Sequence, residues 1–140
     1  MIKEDVTISL VSTQSDGENS EQSEIITKGT YEKKDDRFVI SYKETEATGF
    51  EGATTELCVY GNEKVVMNRT GGFMSNLIVE MGRKHYCQYG TPYGDITVGV
   101  NSKEITSQLD EQGGKVNFKY VIDVNSSYVG DFDVTIDVKQ

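Results

Sequence analysis

Residues 55–69 read Thr55-Glu56-Leu57-Cys58-Val59-Tyr60-Gly61-Asn62-Glu63-Lys64-Val65-Val66-Met67-Asn68-Arg69. Thr55, Leu57 and Val59 alternate with neighbours that point the other way, the period of a half-buried strand. Gly61-Asn62 is a turn pair, because both residues accept the backbone angles a tight hairpin needs. Val65, Met67 and Arg69 then resume the same face on the way back. One hairpin is thus written into fifteen residues, with an arginine where the apolar row ends.

The same period extends outward in both directions. Before the hairpin, Phe38, Ile40, Tyr42 and Glu44 share a face. Earlier still, Val6, Ile8 and Leu10 alternate, and a strand is expected over about 23–33, turned by Lys34-Asp35-Asp36. After it, strands are expected over about 73–81, 83–89, 115–124 and 129–138, with loops at 16–20, 48–52 and 90–94. Turn signals recur at about 8–12-residue spacing, the mark of a sandwich or barrel. Composition agrees. Val, Ile and Thr number 38 and Leu and Ala six. Branching at Cβ favours the pleated strand, and Ala and Leu lead the helix scale. The 140 residues suit one domain, 1–140, with enough volume for a core that needs no disulfide.

The segment 95–109 has two readings. Asn101 with Glu104 three residues on has capping-box spacing, and Ile105 and Leu109 lie one helical turn apart. The rival is a long bent strand. A bent strand gives ten strands, and an antiparallel up-and-down barrel closes neatly on an even number. Closure favours the strand.

Charge and cysteine usage bound the partners. The net charge is −9, with only three arginines, Arg37, Arg69 and Arg83. That footprint argues against nucleic acid and against an anionic membrane surface. No apolar run approaches a spanning helix and no secretory leader is visible, so a cytoplasmic location is expected, with Cys58 and Cys87 as reduced thiols. In that compartment the Asn68-Arg69-Thr70 and Asn125-Ser126-Ser127 triplets are chance matches to a glycosylation pattern.

Several segments occur in an order that resembles a known family. Gly29-Thr30-Tyr31 precedes Ile40-Ser41-Tyr42-Lys43-Glu44, then Thr48-Gly49, Arg69-Thr70-Gly71, Tyr89-Gly90-Thr91-Pro92-Tyr93-Gly94, Gly114 and Tyr120. The series resembles the YwiB-like family of small, uncharacterised bacterial proteins, over about 8–138. The resemblance implies a lipocalin-like (calycin-type) β-barrel and a bacterial, cytoplasmic origin, and it implies no established activity. His85 and Cys87 stand outside its pattern.

Four groups of residues carry chemistry. In an up-and-down barrel with 37–46 running up, the loops at 47–52, 70–72 and 90–94 share the upper end. Tyr42, Glu44, Thr55 and Arg69 then meet in the upper mouth. Arg69 suits a carboxylate or phosphate through its planar fork. The same residues also suit a structural ion pair that orders the barrel end. Tyr89, Thr91 and Tyr93 belong to a Gly/Pro segment whose backbone N–H groups suit an anion. As a turn with packed tyrosines that segment needs no ligand. His85 and Cys87 share a strand face but stand about 7 Å apart, too far for a direct hydrogen bond. Asp131, Asp133 and Asp137 form a solvated acidic face opposite Phe132, Val134, Ile136 and Val138. No metal or cofactor motif is present. Three functions follow: a non-enzymatic protein binding a small anionic or amphipathic ligand at the mouth, an interaction module with a filled barrel, or an enzyme acting on an anionic substrate.

Overall fold

The computed structural model describes residues 2–44, 52–71, 75–91 and 94–140. Ten strands run through them: β1 (Ile2–Ser15), β2 (Ser20–Lys33), β3 (Phe38–Lys43), β4 (Thr54–Tyr60), β5 (Lys64–Thr70), β6 (Ser75–Glu80), β7 (His85–Thr91), β8 (Gly94–Asp110), β9 (Gly113–Val124) and β10 (Ser127–Lys139). Each strand pairs antiparallel with its sequence neighbours, and β1 pairs with β10, so the sheet closes on itself as an up-and-down barrel. The 95–109 ambiguity resolves as one bent strand. A register shift between Ser102 and Glu104 marks the bend, a bulge that redirects the chain. Helix signals here were local, while pairing with β9 buries Ile105 against Phe118.

Inward rows fill the interior. Ile8, Tyr31, Ile40, Leu57, Val59, Val65, Val79, Val116, Phe118 and Ile136 are fully buried. Each such side chain contributes about 1.5–3 kcal/mol of apolar burial. Stacked rings continue the packing, Phe118 on Tyr120 and Tyr120 on Phe132, with Tyr31 on Phe38 near the lower end. Gly29 is needed on the inward row of β2. A Cβ there would collide with the Ser41 carbonyl and the Ile8 side chain.

The lower end is closed by more than the short turns at 34–36 and 61–62. β7 pairs with β8 only as far down as Val100, and β8 runs on to Asp110 with β9 as its ladder partner among the described residues. Other elements meet its open edge. The Asn62 side chain accepts from the Ser107 N–H at 2.7 Å, Ser102 donates to the Glu80 carbonyl at 2.6 Å, and the Tyr31 hydroxyl donates to the Asp110 carbonyl at 2.7 Å. The lower half of β8 therefore spans the bottom of the barrel.

The least regular seam lies between β6 and β7. Ser75 pairs with Tyr89 and Glu80 bridges to Arg83, but no ladder pair is formed between those two points. The Ile78 N–H donates to Cys87 Sγ at 3.4 Å instead. His85 Nε2 and Glu80 Oε1 close the lower end of the seam at 2.7 Å.

Candidate functional site

The register of β3, β4 and β5 brings four side chains together. Tyr42 lies opposite Thr55, and Thr55 opposite Arg69, all on the inward face at the upper end. Glu44 follows one inward position after Tyr42. Its N–H donates to the Ala53 carbonyl at 2.8 Å, which carries the β3–β4 contact one step beyond the strand and fixes the carboxylate's height. The Glu44 side chain is only 2% exposed and that of Arg69 16%.

Thr55 Oγ1 is the hub. It donates to Glu44 Oε1 at 2.5 Å and accepts from Arg69 Nε at 3.3 Å. Arg69 Nη2 reaches the same carboxylate oxygen at 3.4 Å. The Tyr42 hydroxyl lies beside Thr55 and Glu44 in the same buried cluster. Its ionisation is pushed well above the ordinary value, first by burial and then by the Glu44 charge, with Arg69 opposing. The hydroxyl therefore stays protonated and serves as a donor. The cluster is a carboxylate and a guanidinium held in register by two hydroxyls, with little water access.

Of the other sequence-derived candidates, Tyr89 and Thr91 lie on the β7 backbone, which reaches the same upper end and turns there into β8. The expected 90–94 loop is shorter than read, because β7 extends to Thr91 and β8 begins at Gly94. Tyr93 lies outside the described residues, as do most of 47–52 and part of 70–72. His85 bonds to Glu80, and Cys87 accepts from Ile78, so each has a partner of its own. Burial pushes the Cys87 thiol up, which works against a reactive thiolate. Asp131 and Asp133 are tied to neighbours on the outer face, Asp131 to Tyr128 and Lys103, and Asp133 to Asn117. Among the described residues no group of three or more acidic, His or Cys side chains is placed to hold a metal ion.

Sequence reading missed a concavity on the outer side of β1, β2 and β3. It measures about 350 Å³ and its lining includes Glu4, Asp5, Lys28, Tyr42, Lys43 and Thr54. It sits where β1 bulges between Lys3 and Val6, and Asp5 there takes a φ of 56°. A bulge leaves little trace in sequence, although Glu4-Asp5 does break the Val6-Ile8-Leu10 alternation on its N-terminal side.

The comparisons with known proteins agree with this architecture. A family model described as "Domain of unknown function (DUF1934)" matches residues 8–136. The chain is 29% identical over 115 residues to the uncharacterized beta-barrel protein YwiB of Bacillus subtilis strain 168, covering 82% of this chain and 79% of that one. The crystal structure of the ywiB protein from Bacillus subtilis superposes with a TM-score of 0.81 at 24% identity, over 97% of this chain and 91% of that one.

Proposed function

The chain belongs to the DUF1934 family, and from that premise we propose that it is a non-enzymatic protein that binds a small anionic or amphipathic ligand at the upper mouth of its barrel. The observation that carries this reading is the Glu44 carboxylate, 2% exposed beside a partly exposed arginine. A buried ion pair is a poor device for stability alone, because desolvation offsets most of the attraction. Apolar side chains would seal a barrel end at lower cost. A guanidinium oriented by a carboxylate and a hydroxyl is instead a prepared anion receptor in a chain of net charge −9. The Tyr42 ring and hydroxyl suit the apolar body and polar head of an amphipathic ligand. The sequence adds Tyr89, Thr91 and Tyr93 as further proposed ligand-binding residues.

A second reading, an interaction module with a filled barrel, is favoured by one observation: the continuous packed core between the two ends. A thermal-shift screen of carboxylates, phosphates and fatty acids separates the two. On the binding reading, a ligand raises the melting temperature of the wild type by several degrees, and the shift largely disappears in Arg69→Ala and shrinks in Tyr42→Phe. Equal shifts in all three proteins place the site elsewhere. No shift for any ligand class replaces this reading with the interaction module.

A further inference from the structure

We propose that the upper edge of β2, Glu24–Lys28, pairs with the same edge of a second copy of this chain, forming a two-fold antiparallel β2–β2 junction. The edge can be located from backbone geometry. At the β1–β2 turn the Asp16 N–H donates to the Asn19 carbonyl at 3.1 Å. Hydrogen-bonded and non-bonded pairs alternate along an antiparallel ladder. From that turn and the register Ser15↔Ser20, the residues of β2 that bond β1 are 21, 23, 25 and 27. The backbone groups of Gln22, Glu24, Ile26 and Lys28 therefore point away from β1.

The β2–β3 turn gives the same phase independently. The Lys34 N–H donates to the Arg37 carbonyl at 2.8 Å, so Glu32 and Thr30 bond β3. That ladder stops at Gly29↔Tyr42. Above it no strand among the described residues meets β2 on this side.

An open edge is normally blunted by charge. Here one self-pairing register sets both charges opposite their complements. Glu24, Ile26 and Lys28 share the outer face, and Ile26 is 68% exposed, second only to Tyr86 among the large apolar side chains of the described residues. Placing Ile26 opposite its own copy sets Glu24 opposite the partner's Lys28 and Lys28 opposite the partner's Glu24. Both ion pairs are favourable, and the exposed isoleucines cover each other. On the inner face Ile25 meets the partner's Thr27. A shift of two residues along the edge toward the β1–β2 turn, which sets Glu24 opposite its own copy, is repulsive. The pattern is self-complementary, which fits a second copy better than an arbitrary extended peptide.

Sedimentation velocity on the full chain, from about 10 µM to about 1 mM, tests the junction. The expected result is a reversible dimer. Ile26→Pro should be monomeric with an unchanged far-UV spectrum, because its N–H points off the sheet and is not in the β1 ladder. Glu24→Lys sets like charges opposite each other twice and should weaken association about tenfold. Adding Lys28→Glu to Glu24→Lys should restore it. A wild type that stays monomeric throughout overturns the proposal and leaves the edge to a segment of another protein. A dimer that survives Ile26→Pro, or one that the double charge exchange does not restore, also overturns it.

Discussion

Glu44 and Arg69 face each other with Thr55 between them, and that arrangement sets what each substitution does. Arg69→Ala leaves a carboxylate that is 2% exposed without its cation, which should cost about 3 kcal/mol of unfolding free energy. The double variant Glu44→Gln/Arg69→Met removes both charges and should recover most of that loss. Urea titrations of the two proteins measure the difference, and equal losses would mean that the pair carries no coupling. Buried hydroxyls give a second prediction at this scale. Burial raises the ionisation of Tyr31 and Tyr42 far above the ordinary value of 10.0. A group that the fold keeps protonated contributes its full stability below its unfolded value and loses it as pH rises above that value. Stability should therefore fall steadily above about pH 10. Absorbance titration of phenolate should show Tyr31 and Tyr42 ionising only as the protein unfolds. The mouth was legible in sequence because parity and up-and-down order determine which side chains meet. Glu44 and Arg69 each extend an apolar row at the top of an upward strand, and the register Thr55↔Arg69 leaves them no other place.

Strands add constraints that single residues do not reveal. Gly29 sits where β2 and β3 approach, and Gly29→Ala would push a methyl group into the Ser41 carbonyl, which the β3 backbone cannot move aside. We expect a loss of about 1–3 kcal/mol, read by chemical denaturation. The lower half of β8 depends on side chains from elsewhere. Asn62→Ala removes the acceptor of the Ser107 N–H. Amide exchange at Ser107 should speed up markedly while that of β9 is unchanged, and a uniform change across both strands would count against this view of the lower end. Sequence reading found β8 as a bent strand through the even-number argument. It could not place that strand under the barrel, because the three contacts that hold it come from β2, the β4–β5 turn and β6. Such contacts leave no periodic signal. The bulge in β1 left only a faint sign, a break in the alternation at Glu4 and Asp5, where pairing is interrupted.

The whole barrel is only as closed as its least regular seam. Nine of the ten junctions are laddered, while β6 and β7 meet in one ladder pair and one bridge. What joins them between those points is the Ile78–Cys87 contact, and below it the Glu80–His85 pair. The Glu80 carboxyl is held below its ordinary value of 4.5, first by the hydrogen bond from His85 and then by the charges of Arg83, His85 and Lys64. A carboxylate with a lowered folded value stabilises the fold fully above its ordinary value, and that contribution disappears as pH falls through the lowered one. Acid should therefore loosen this seam before it unfolds the barrel. Exchange protection of the Ile78 amide should drop between about pH 6 and about pH 3 by more than that of the β9 amides, once intrinsic rates are corrected. Glu80→Gln should already have the lower protection at neutral pH and show little further change in acid. If instead all strands lose protection together, acid acts on the barrel as a single cooperative unit, and the β6–β7 junction is not the place where it opens.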